Sequence, residues 1–248
     1  MKVLAFALVL VAAACGGASP PAVNARSVTV FAGSSLTDAF KKAADQLKAQ
    51  NQGTDYVFNF GSSSTLATQI INGAPADVFA SADDVNMQKV VDAKLNEGAP
   101  AFFVGNRLQI AVAAGNPRQI ARLADLAKSG LIVVLAGPTV PAGRYAREAL
   151  EKAGVTVRPA SQEVDARAVL SKVALGEADA GIVYVTDVKS AGTRVTGVDI
   201  PEQHQVIARY PIAVVRESKN PRLAQAYVGY LLSDEGQRLL AEFGFSRP

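Results

Sequence analysis

From Ser27 onward the apolar and polar positions follow two alternating rhythms. Ser27 to Ala32 (SVTVFA) has period two and is rich in β-branched residues, which predicts a strand. Leu36, Phe40, Ala43 and Leu47 then recur at helical spacing while Lys41, Lys42, Asp45 and Lys48 fill the other face, predicting an amphipathic helix. Tyr56 to Phe60 reads as a second strand, and Ser63 to Asn72 as a helix that Gly73 and Pro75 end. A short strand at Val78 to Ala80 and a helix at Asp83 to Ala93 follow. Further strands are expected at Leu108 to Ala114, Ile132 to Leu135 and Ala180 to Tyr184, with helices at Ala142 to Ala153 and Ala166 to Gly176. The chain closes with a strand-rich Val206 to Val215 and helices at Pro221 to Leu232 and Asp234 to Phe243.

Strands alternating with helices predict an α/β protein with parallel sheets and right-handed crossovers. Two strand-rich segments, Leu108 to Ala114 and Val206 to Val215, lie about a hundred residues apart. They can carry the chain out to a second lobe and back. The expected division is residues 27–107 plus 210–248 for lobe 1 and 108–209 for lobe 2.

The first residues follow a different rule. Met1-Lys2 precedes a 12-residue apolar run from Val3 to Ala14. Spanning a bilayer takes about 20 such residues, but the length and basic flank match a secretory signal, assigned to residues 1–14. Ala12-Ala13-Ala14 ahead of Cys15 resembles the lipobox of bacterial lipoproteins, whose Cys becomes the lipidated first residue of the mature chain. Ala12 stands where members more often carry Leu. The competing reading is an ordinary cleaved signal with an incidental Cys, against which stands the liability of a free N-terminal thiol in an oxidising compartment. Residues 15–26, rich in Ala, Ser and Pro, then form a lipidated, flexible tether.

Composition excludes several functions. The 248 residues are 49% hydrophobic and 19% charged, as in a soluble core-forming protein. One Cys can form neither an internal disulfide nor a CxxC pair, and with one His it cannot assemble an ordinary Zn site. The sequence pI is near 9.0, yet a net charge of +3 is a weak field and gives no nucleic-acid footprint.

Two serine clusters carry the strongest chemical signal. Gly33-Ser34-Ser35-Leu36-Thr37 and Gly61-Ser62-Ser63-Ser64-Thr65 each sit where a predicted strand ends and a helix begins. A helix N-terminus offers unpaired N–H groups and about half a positive charge, and an adjacent Gly allows close approach of a ligand. Hydroxyls add donors. Ligands of open α/β sheets bind outside the carboxyl ends of the strands, where both clusters fall. Helix capping alone is the simpler reading of either cluster, and Ser35-Leu36-Thr37-Asp38 fits a capping-box-like pattern. Two Gly-preceded clusters within 30 residues favour a ligand.

The order GSSLTDAF, FGSSSTLATQI, NGAPADVFASAD, VPAGRYAREALEKAG, ADAGIVYVTDV and a C-terminal FGF resembles the periplasmic molybdate-binding proteins of ABC importers from about Val28 to Phe245. The resemblance implies a two-lobed periplasmic binding protein of the second type, with a mixed, mostly parallel sheet in each lobe and one tetrahedral oxyanion, molybdate or tungstate, in the cleft. It implies no cofactor and no enzymatic activity, and molybdenum enters only as the oxyanion, without direct protein ligands. The implied contacts are the side chains of Ser35 and Ser63, the backbone N–H of Ala142, the backbone N–H of Ala166 and the Tyr184 hydroxyl. Relatives often carry Asp-Val-Arg where this chain has Asp165-Ala166-Arg167. Implied partners are the ABC permease and its ATPase subunit. The protein is expected to be monomeric, held by its lipid at the outer face of the cytoplasmic membrane or in the periplasm, with no nucleic-acid partner.

Tyr184 also fits a packed core position at the end of an apolar strand. Arg144 and Arg167 fall near the expected pocket, but the resemblance implies a neutral site and the helix-start position of Arg144 suits a solvated face. His204 is expected on a surface loop. A neutral pocket suffices for a dianion: about five hydrogen bonds at roughly 1.5 to 3 kcal/mol each exceed the ~8 kcal/mol of micromolar binding before desolvation is subtracted. Sulfate or thiosulfate fits the same chemistry. A serine hydrolase using Ser35 or Ser63 is disfavoured by the lack of a GxSxG elbow and by His204 being the sole imidazole. A P-loop enzyme is excluded because GxxxxGK[ST] is missing.

Overall fold

The computed structural model describes residues 27–50 and 53–248. The assigned signal and the Cys15 tether lie outside the described residues. β1 (Ser27–Gly33) runs between β2 (Asp55–Gly61) and β3 (Val78–Ala80), parallel to both. The crossovers are α1 (Thr37–Gln50), entered through a 3-10 turn at Ser34–Leu36, and α2 (Ser63–Ile71). Period-two alternation in β1 sends Val28, Val30 and Ala32 into one core with Leu36, Phe40 and Ala43, and Phe31 into a second with Leu66, Ile70 and Met87. α3 (Asp84–Asp92) then leads to β4 (Asn96–Ala113), the longest strand.

β4 changes partners midway. Its first part, through Arg107, pairs antiparallel with β9 (Ile207–Val215), which also pairs with β3. From Leu108 it pairs instead with β7 (Ala180–Tyr184), and from Gln109 also with β8 (Val195–Asp199), both antiparallel. β7 continues parallel to β5 (Val133–Ala136), and β5 parallel to β6 (Ser161–Glu163). The order is β2-β1-β3-β9-β4-β7-β5-β6, with β8 on β4. Parallel βαβ units thus form the outer parts of a mixed sheet, and antiparallel β4 and β9 join them. α4 (Pro141–Lys152), α5 (Ala166–Ala174) and α6 (Val185–Ala191) belong to the second part; α7 (Pro221–Leu232) and α8 (Asp234–Glu242) follow β9. Tyr227 of α7 packs edge-on against Phe40 at 5.7 Å, closing the first core.

The strand expected to start at Leu108 begins at Asn96. The Asn96-Glu97-Gly98-Ala99-Pro100 segment has turn composition, and Gly98 adopts a φ of +66°. A register shift between Glu97 and Ala101 absorbs this irregularity within the ladder to β9. β6, α6 and β8 are too short or too polar to stand out by periodicity.

Candidate functional site

The β1–β2 register sets Gly33 opposite Gly61, so the two glycine–serine junctions lie side by side at the carboxyl ends of neighbouring parallel strands. β3 ends beside them, with Ala80 opposite Ala32. The second part repeats the arrangement: Ala136 of β5 lies opposite Glu163 of β6, and the chain continues from these ends into α4 and α5. β7, parallel to β5, ends on Tyr184. These ends converge on one small cavity of about 10 Å³. Ser35, Ser63, Ala142, Ala166 and Tyr184 all line it, as do Ser34, Ser62 and Asp165, which the sequence reading did not single out as contacts.

The helices aimed at this cavity keep first-turn N–H groups unspent. α2 follows Ser62 and α4 follows Val140, neither of which supplies a side-chain cap. The Ser62 hydroxyl bonds Ser64 Oγ at 2.7 Å instead. Pro141 occupies the first position of α4, where its fixed φ suits a helix start and its missing N–H costs nothing. α5 is capped by Asp165, which accepts from the Ala168 N–H at 2.9 Å and so leaves the Ala166 N–H.

The serines do not serve as caps. Ser35 Oγ lies 2.8 Å from the Tyr210 hydroxyl. Ser63 Oγ accepts the Ala82 N–H at 2.8 Å, so its own proton is left to donate. The junction is tight at Gly33, where a Cβ would stand 3.3 Å from Ala82 Cβ and 3.4 Å from Ser63 Oγ.

Tyr184 is 1% exposed and its hydroxyl has no hydrogen-bond partner among the described residues. Tyr210, whose ring meets it edge-on at 5.9 Å, is already engaged with Ser35 and Asn106. An unpaired buried hydroxyl costs about 1 to 3 kcal/mol, so it calls for a partner supplied from outside the chain. Burial, with added repulsion from Tyr210, Tyr145, Asp187 and Asp83, pushes the phenol well above its ordinary pKa, which keeps it an O–H donor.

The arginines are held away from an anion. Arg144 is not on a purely solvated face: Nη2 lies 2.6 Å from Oδ2 of fully buried Asp83, which also caps α3 through the Asn86 N–H. Arg167 pairs with Asp38 at 2.7 Å and with buried Asp187 at 2.9 Å. Burial pushes the Asp187 carboxyl up to about 6, opposed by Arg167 and by the Tyr184 N–H that it accepts. Each guanidinium is thus matched by carboxylates, and the donors left facing the cavity are N–H and O–H groups. His204 lies in a 3-10 turn at Glu202–His204, with Nδ1 3.1 Å from the Lys152 carbonyl and Nε2 near Gln203. Its ring bonds neither Ser35 nor Ser63. Among the described residues no group of three His, Cys, Asp or Glu side chains could hold a metal ion, and no helix is long and apolar enough to cross a membrane.

Tyr210 and Asn106, which stand behind Ser35, escaped the sequence reading. Both are buried residues in β strands whose importance arises from residues more than 100 positions away. No local pattern marks them.

Residues 28–246 match the family model described as bacterial extracellular solute-binding protein. The molybdate-binding protein ModA of Mycobacterium tuberculosis is 44% identical over 241 residues, covering 95% of this chain and 92% of that protein. ModA of Escherichia coli is 36% identical over 230 residues, 88% of each. The periplasmic molybdate-binding protein of Azotobacter vinelandii superposes with a TM-score of 0.80 over 89% of this chain and 99% of that one; at 19% identity the likeness is one of fold. A match over nearly the whole described chain, with the strand ends and helix starts gathered on one cavity, means that this chain belongs to the family of bacterial extracellular solute-binding proteins.

Proposed function

We propose that the chain captures molybdate, and tungstate by the same chemistry, and delivers it to the permease and ATPase of an ABC importer. The observation that carries this reading is the unpartnered Tyr184 hydroxyl, buried against a cavity that Ser35, Ser63 and the starts of α4 and α5 also line. The relatives named for molybdate binding support the choice of ligand. The Ser35 and Ser63 hydroxyls, the Ala142 and Ala166 N–H groups and the Tyr184 O–H are the contacts. Such donors favour a fully ionised tetrahedral dianion. With one Ser63 Oγ lone pair taken by the Ala82 N–H, its proton is available to the ligand, which favours a fully ionised anion over one that brings a proton of its own, as phosphate does near neutral pH. The chain binds its solute without chemical transformation.

Residues 27–107 plus 210–248 and residues 108–209 act as the two lobes that close on the anion. The change of β4 partners at Arg107 and Leu108 supports this division, and Arg144–Asp83 and Arg167–Asp38 span it. Cys15, after its apolar run, carries the lipid that holds a monomeric protein at the outer face of the cytoplasmic membrane or in the periplasm.

Thermal unfolding with molybdate, tungstate, sulfate and phosphate at equal concentration tests the ligand. A ligand that binds only the native state at 100 times its Kd adds about 2.7 kcal/mol, so molybdate and tungstate should each raise the melting temperature by several degrees. A rise with sulfate and none with molybdate would reassign the site to another oxyanion. At the residue level, Ser63→Ala should weaken molybdate binding by about 1 to 3 kcal/mol, the range for losing one charge-assisted bond. It should also lower ligand-free stability, because the buried Ala82 N–H loses its acceptor. Unchanged calorimetric affinity in a folded variant would remove Ser63 from the site.

A further inference from the structure

Behind the cavity runs a chain of buried polar groups that no contact with a ligand explains. Tyr210 of β9 is fully buried and Asn106 of β4 is 1% exposed. The Asn106 side-chain oxygen accepts the Arg107 N–H at 3.0 Å, which fixes the orientation of the amide. Its Nδ2 therefore donates, to Thr186 Oγ1 at 2.9 Å and to the Tyr210 hydroxyl oxygen at 3.3 Å. With its oxygen already accepting, Tyr210 has one proton to place, and the Ser35 Oγ stands 2.8 Å away. Ser35 then accepts from Tyr210 and has its own proton left for the cavity. Burial raises the pKa of the Tyr210 phenol, so it remains protonated and able to donate.

We propose that Tyr210, oriented by Asn106, is a positioning residue of the anion site: by donating to one lone pair of the Ser35 oxygen it turns the Ser35 proton toward the ligand. The inference rests on Ser35 being an anion contact. Tyr210 does not line the cavity, and its hydroxyl reaches the site through Ser35. The relay also ties the loop after β1 to the crossing of β4 and β9 and to the first turn of α6, so Ser35 is set by both parts of the sheet.

The test is a double-mutant cycle in molybdate calorimetry on the full chain. Tyr210→Phe keeps the edge-on ring contacts with Tyr184 and Phe245 and deletes one oxygen. It should weaken molybdate binding about tenfold, as for partial loss of one hydrogen bond to a charged group, when Ser35 is present. In a Ser35→Ala background the same substitution should change affinity less than about twofold, because no proton remains to be aimed. A purely structural role predicts equal losses in both backgrounds, and that result, or no loss in either, overturns the proposal. Should Tyr210→Phe fail to fold, Asn106→Leu, which withdraws the donor that orients Tyr210, enters the same cycle with the same criterion. If the unmodified chain binds no molybdate at all, the ligand assignment falls and takes this proposal with it. Molybdate binding with an additive cycle sinks the positioning role alone.

Discussion

A Gly143→Ala variant is expected to lose about 3 kcal/mol of stability together with most of its anion affinity. The third residue of α4 sits so close to the end of β5 that a Cβ would fall 2.1 Å from the Gly137 carbonyl oxygen and 2.3 Å from that of Ala136. Both obstacles are backbone, so no rotamer change relieves them; the helix start or the strand end must shift. That start carries the Ala142 N–H. A displacement by a few tenths of an ångström or more degrades a hydrogen bond whose value depends on geometry. At this chain length 3 kcal/mol corresponds to a fall in melting temperature of roughly 6 to 12 °C, read by calorimetric unfolding, and the affinity is read by titration with molybdate. A variant that melts like the parent and binds molybdate as tightly would show that α4 does not pack this way.

Tyr184→Phe should separate the two quantities that Gly143→Ala moves together. Its hydroxyl is buried and has no hydrogen-bond partner among the described residues. Removing it relieves a desolvation cost of about 1 to 3 kcal/mol, so the ligand-free melting temperature should hold or rise. Molybdate, by contrast, loses a donor held in a site sheltered from water. The expected cost is about 1.5 to 3 kcal/mol, or roughly 10- to 150-fold in Kd. A binding residue whose loss stabilises the empty protein is the signature of a group held in place for a ligand. If the variant instead melts lower and binds molybdate unchanged, Tyr184 is a core tyrosine and the packed-strand reading is correct.

Much of the fold is legible in the chain because its determinants are local. Strand ends at Tyr184 and at Val78–Ala80, and both boundaries of α7, fall where periodicity and flanking residues place them. The glycine–serine junctions announce themselves because a strand pattern stops, a glycine follows and a helical pattern begins. The first part of β4 was not legible. Asn96 to Pro100 is composed like a turn, and only the distant β9 holds it extended across a register shift. The arginines show the same limit from the electrostatic side. Position alone suggested a solvated Arg144, but Asp83, which pairs with it, lies 61 residues away.

The sequence by itself determined the α/β alternation, the donors at two strand–helix junctions and the scarcity of Cys and His that rules out an ordinary Zn site. Each of these depends on backbone preference within a few residues or on simple counts. Only the tertiary structure decided that Gly33 faces Gly61, that Arg144 and Arg167 are matched by carboxylates, and that Ser35 meets Tyr210 across 175 positions while the Tyr184 hydroxyl bonds none of the described residues. Hydrogen bonds and ion pairs act over a few ångströms, and which groups come within that range is set by sheet register and crossover packing summed over the whole chain.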